Sequence, residues 1–336
     1  MVQQPWFQPT PSGLWLTLAV AGVAAGGALF VSGPAQRWLH PERAEVGRTA
    51  TARLGAVAMR GLAAVALVAL AWQLGSALPL LVMLIASIGG SIGWRMAVVR
   101  TVRQALALAA DGAYDDAIAV VRDSWVMSGV EQQGMLAALE LDAGEPEAAE
   151  ARLRDIEALP TTVDRQAHHL SMIALAQRDQ GRREVAITTA QRAYELHADQ
   201  PGVVLRLAML HAERGPLDDD LLARCREAVD DTHRSLARAS VAPSLLPLEQ
   251  SALAYVLAAS SKEPTARELA ARIELPDGRT DRAEVLYRLA LCFEALGDLD
   301  ATYAKLDQAS ELAVGATARR CDDLRERLRV RGPQAT

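Results

Sequence analysis

The chain of 336 residues contains no asparagine and only two lysines, Lys262 and Lys305. Aromatic residues make up 4% of it. Its three cysteines, Cys225, Cys292 and Cys321, lie far apart, with no C-x-x-C pair among them. Also missing are the H-E-x-x-H zinc motif, an EF-hand loop, a phosphate-binding loop and the G-x-S-x-G elbow. Each absence removes a class of function. Widely spaced cysteines read as free thiols in a reducing compartment, with no disulfide framework. The six histidines are His40, His168, His169, His197, His211 and His233. On a helix the neighbours His168 and His169 point about 100° apart, which suits one metal ion poorly. Glycine-rich stretches occur only inside uncharged apolar segments, so no catalytic, cofactor or metal residue is expected and the chain does not read as an enzyme. Acid clusters at Asp218-Asp219-Asp220 and Asp322-Asp323 read as helix starts, where carboxylates meet the favourable end of the helix dipole. A formal net charge of -6 gives no electrostatic reason to expect nucleic acid as partner. No long Val/Ile/Thr alternation suggests a sheet, and no small-molecule substrate is evident.

What the sequence does have is long uncharged stretches near its start. Residues 1–13 carry no charged side chain, and 14–32 are apolar and uncharged, close to the ~20 residues that cross ~30 Å of hydrocarbon. No basic residue precedes that run, unlike a signal peptide, so a retained span is expected. An arginine-rich loop follows at 33–53. Residues 54–94 then read as a hairpin of two further spans, turning near Gly75 to Pro79. Nothing between Gly61 and Trp94 is charged. Arginines cluster in the loop and again at Arg95, Arg100 and Arg103. Three spans place both clusters on the cytoplasmic side. The expected protein is therefore an integral inner-membrane one, with its N-terminus out, its C-terminal part cytoplasmic and the bilayer as one partner.

Residues 95–315 carry a different pattern. In 283–312, Leu286, Leu289, Ala290 and Phe293 stripe one helix, then Gly297-Asp298 turns the chain, and Thr302, Leu306 and Ala309 stripe a second. Apolar positions three and four apart give each helix one face to bury. A small residue recurs on a first helix at Ala105, Ala137, Ala174, Ala208, Ala254 and Ala290. Turn residues follow at Gly112, Gly144, Gly181, Gly215, Ser261 and Gly297, and small second-helix residues at Ala117, Ala149, Ala186 and Ala266. The spacings run from 32 to 37, with one gap of 46 that an insertion near 232–247 would supply, with Pro243 and Pro247 breaking the helical pattern there. Thr302 and Asp220 depart from the small-residue pattern.

This spacing resembles the tetratricopeptide repeat, whose period is about 34. With the apolar spans above, the resemblance gives an all-α chain: N-terminal transmembrane helices, then a tetratricopeptide-like solenoid of about six helix pairs, then a capping helix and tail at 316–336. It also implies a groove lined by the first helices that holds a peptide or a partner helix. The carboxylate clamp of some members needs asparagine and lysine, which this chain lacks or nearly lacks. Gln104, Gln133, His169, Arg206, Gln250, Tyr287 and Arg288 are the candidates to line the groove instead. The function expected is a membrane-anchored scaffold or adaptor for protein partners, in an envelope, secretion or polysaccharide-export assembly. The alternative is an integral structural subunit whose spans make the essential contacts.

Overall fold

Alanines spaced one repeat apart matter because helices can approach closely only where side chains are small. In the computed structural model all six first-helix alanines, Ala105, Ala137, Ala174, Ala208, Ala254 and Ala290, are fully buried. So are their second-helix counterparts Ala117, Ala149, Ala186 and Ala266, and Thr302 in the same register. The structure describes residues 78–127, 129–157, 162–237 and 245–331. The expected spans at 14–32 and in the first hairpin arm, and the loop and tail beside them, lie outside these residues.

The described residues form thirteen helices. In chain order they are α1 (Leu78–Ala110), α2 (Tyr114–Arg122), α3 (Gly129–Ala143), α4 (Pro146–Glu157), α5 (Val163–Asp179), α6 (Arg183–Leu196) and α7 (Pro201–Ala212). There follow α8 (Asp219–Ala237), α9 (Leu245–Ala259), α10 (Glu263–Arg272), α11 (Arg279–Ala295), α12 (Leu299–Leu312) and α13 (Gly315–Arg331). The chain divides into two units, Met1–Thr101 with Ser124–Glu131, and Val102–Asp123 with Gln132–Thr336.

In the first unit, the second hairpin arm falls on the start of α1. Its uncharged part, Leu78–Trp94, is about 25 Å long at ~1.5 Å per residue, against ~30 Å of hydrocarbon. Among the described residues no helix is long and apolar enough to cross a membrane. Trp94 and Trp125 meet edge to face, their ring centroids 5.9 Å apart, and Met96, Val99 and Trp125 are exposed.

In the second unit, consecutive helices pair and pairs stack. Helix α5 packs on α6, α7 on α8, α9 on α10 and α11 on α12. Each first helix also meets the next first helix, α5 to α7 to α9 to α11. A single pair exposes an apolar face that its neighbour covers, which is how a repeat array builds one core from many weak units. The stripe foreseen on α11 and α12 is that core: Leu286, Leu289, Ala290, Thr302, Leu306 and Ala309 are all buried.

The turns have a common physical cause. Gly112, Gly144, Gly181, Ser261 and Gly297 take φ of 84°, 89°, 79°, 60° and 73°. At each, the N–H reaches the carbonyl three residues back and the next N–H the carbonyl five back, as in Gly297 to Glu294 and Asp298 to Phe293. This left-handed cap satisfies carbonyls that a helix end leaves without partners. The fourth unit differs, with Gly215 at φ 156° and a longer turn before Asp219. There Leu222 and Cys225 are buried where Asp220 does not fit.

Three sequence expectations change. The long gap lengthens α8 through Ala237, and Pro247 opens α9 instead of breaking it, because a first-turn proline lacks only an N–H that has no helical partner. Pro201 likewise starts α7. Asp322 and Asp323 sit inside α13 instead of at its start, since that helix begins at Gly315.

Candidate functional site

The face made by the first helices carries the buried polar chemistry. Its simplest element is a serine and an arginine about one repeat apart. Ser171, three residues before Ala174 on α5, donates its hydroxyl to the His168 carbonyl at 2.8 Å. Arg206, two residues before Ala208 on α7, donates to that Ser171 oxygen at 2.6 Å. The arrangement recurs two units later. Ser251, three before Ala254 on α9, donates to the Leu248 carbonyl at 2.9 Å, and Arg288, two before Ala290 on α11, reaches the same carbonyl at 2.7 Å. Each arginine thus fastens one first helix to the preceding one.

A carboxylate holds the second of these cations, Arg288, in place. Glu284 on α11 accepts from Arg288 at 2.9 Å, from Arg320 of α13 at 3.3 Å and from the Thr317 hydroxyl at 3.0 Å. Burial alone would raise the Glu284 pKa, but Arg320, Arg288 and Arg178 outweigh it and hold the carboxyl at about 2. Glu249 shows the opposite balance. Its burial raises the pKa against the pull of Thr232, Arg288 and Arg206, and its Oε2 is buried without a hydrogen-bond partner. Burial, with Arg206 and His169 adding to it, pushes His168 down to about 3, so the imidazole is neutral at physiological pH. The His168 and His169 rings stand 6.3 Å apart and tilted, and His169 Nδ1 is buried without a partner.

Helix α13 lies along this face. Arg320 sits 5.6 Å over the Tyr287 ring, and Arg327 meets Glu294 at 2.8 Å. Its N-terminal end reaches the second helix pair. A Cβ on Gly315 would stand 2.2 Å from the Asp142 carbonyl oxygen, and the Arg319 guanidinium presses on Gly144. Between α13 and the first helices is a cavity of about 400 Å³, lined by residues including Arg178, Asp179, Glu213, Tyr255, Tyr287 and Leu291.

The structure brings Arg206, Tyr287 and Arg288 into this polar face. Gln250 is half-buried on α9, and Gln104 is exposed on α1. Gln133 is taken up by Arg152 of α4, which also grips Glu140 at 2.6 Å. His169 is buried. Sequence reasoning missed Glu284, Ser171 and Ser251. Laying the repeats on their alanines would have shown the two serines in one register and Arg103, Arg206 and Arg288 in another.

No protein-family profile matches the chain, and no curated protein matches it. Among solved structures, the crystal structure of the P58(IPK) TPR domain is similar at 14% identity, covering 73% of this chain and 68% of that one, with a TM-score of 0.27. Among the described residues, helix order and packing make the second unit an all-α array of stacked helix pairs.

Proposed function

We propose that the second unit is a tetratricopeptide-like interaction module that binds protein partners, and that the segment before it anchors the module at a membrane as a scaffold or adaptor. The observation that carries this reading is the first-helix face, where Arg206, Glu249, Glu284 and Arg288 form a largely buried polar network and Tyr287 lines an open cavity of about 400 Å³. Such a surface, on a stack of helix pairs, suits a helix or peptide better than a small substrate. Membrane attachment draws support from the uncharged residues 61–94 and the arginines that follow. Exposed Met96, Val99 and Trp125 beside exposed Arg100 have the aromatic, apolar and cationic mix of a membrane interface. In this reading the N-terminus is outside, the array is cytoplasmic, and the setting is an envelope, secretion or export assembly.

The test has two readouts on the full chain in cell membranes. A photocrosslinking residue at Gln250 should capture a discrete protein band. Reporters placed after Gln73 and at the C-terminus should report outside and inside. Crosslinks only to abundant background proteins would overturn the scaffold reading, and a C-terminus outside would overturn the proposed topology.

A further inference from the structure

A capping helix needs only to cover the apolar edge of the last pair. Helix α13 does that with Ala316, Cys321, Leu324 and Leu328, all buried. It also does more. It follows α11 in the same direction, since Arg320 meets Glu284 and Arg327 meets Glu294. It therefore takes the place that the first helix of a further repeat would occupy. From there it spans to the turn at Gly144 and the carbonyl of Asp142, yet leaves a cavity of about 400 Å³ beneath it. That space is a cleft open to solvent, so α13 bridges the face without closing over it. The cavity has no surplus positive charge for an anion. Of the five arginines that line it, Arg178, Arg183, Arg320 and Arg327 each already meet a carboxylate, namely Asp179, Glu213, Glu284 and Glu294, and Asp323 in the same lining offsets Arg319.

We propose that the first-helix face recognises a helix bearing two arginines seven residues apart with a leucine between them, and that α13 is the chain's own occupant of that site. In α13 these are Arg320, Leu324 and Arg327. A partner helix with the same pattern displaces α13 and places its guanidiniums against Glu284 and Glu294. The proposal rests on the interaction-module reading and names its site and partner chemistry. The tethered helix sets the threshold for binding. Its effective concentration is on the order of millimolar for a short linker, so a partner must bind tightly or find α13 already loosened.

The test uses the full-length chain and, as probe, a labelled synthetic peptide of residues 315–331 carrying Cys321→Ser. Thiol labelling followed by mass spectrometry reads α13 directly, because Cys321 is buried on it while Cys225 and Cys292 are buried elsewhere. In Arg320→Ala/Arg327→Ala, Cys321 should label at least tenfold faster, with the other two unchanged. The peptide should bind this variant at least tenfold tighter than the unsubstituted chain, and adding Glu284→Gln should remove that gain. Unchanged Cys321 labelling, peptide affinity equal to that of the unsubstituted chain, or gain retained with Glu284→Gln would each overturn the proposal. Dimers formed by exchange of α13 would also overturn it, in favour of a second copy as occupant. If the double variant exposes all three cysteines together, Arg327→Ala, whose side chain is 41% exposed, is read by the same criteria. Failure here alongside retained crosslinks at Gln250 would overturn this site alone, not the interaction module.

Discussion

Ser261 is the one non-glycine residue among those described with positive φ, at 60°. It stands where the five other units place glycine, and it makes the same two cap hydrogen bonds as four of them. An L-residue in the left-handed region costs about 1–2 kcal/mol through its Cβ, and glycine removes that cost while adding unfolded-chain entropy. Ser261→Gly should therefore raise stability by about 0.5–1 kcal/mol in urea unfolding. A second residue sets the acid response. The folded pKa of His168, about 3, lies below its ordinary value near 6.5, so the unfolded chain takes up that proton first. Its contribution to stability is intact above about pH 6.5 and is lost as pH falls from there toward 3, by roughly 1.4 kcal/mol per unit. His168→Gln should flatten the pH–stability slope between pH 6 and 4.5 by about that amount. An equal slope in both proteins would show that His168 is not the group responsible.

At the scale of the helix, the array depends on two devices: a small residue where first helices cross and a left-handed cap where each one stops. Both were legible in the sequence, because alanine and glycine recur at fixed offsets and each has a physical reason to sit there. Ala254 shows how tight the crossing is, for its carbonyl lies 3.5 Å from Cys292 Sγ on the next first helix. Ala254→Leu should cost about 1–3 kcal/mol by forcing α9 and α11 apart. A far-UV melt reads that loss. The helix edges were less legible. Pro247 suggests a break in the helical pattern, yet it falls in the first turn of a helix, as Pro201 does, because the first turn needs no donor there. Asp322 and Asp323 were read as a start, but the helix had already begun seven residues earlier at Gly315.

Over the whole second unit, periodicity gave the number and order of helix pairs but not where α13 would lie. Its position depends on Gly315 against Asp142 and Arg320 against Glu284, contacts between residues that no repeat period relates. The candidate residues Arg206, Tyr287 and Arg288 lie on first helices, each within three residues of the repeat alanine. Ser171 and Ser251 share one offset from their alanines, whereas a glutamate such as Glu284 on a surface helix carries no distinguishing pattern. The serine–arginine latch has a further consequence. It joins the third unit to the fourth and the fifth to the sixth, with the acceptor always in the odd unit and the cation in the even one. Copying the fourth unit alone would set Arg206 against a neighbour with Leu205 where Ser171 stands. Within the third to sixth units, the smallest piece of this gene that can be duplicated or deleted while leaving each serine-bearing unit fastened to an arginine-bearing one is a block of two repeats, so lengthening or shortening of that part of the array should proceed in steps of about seventy residues.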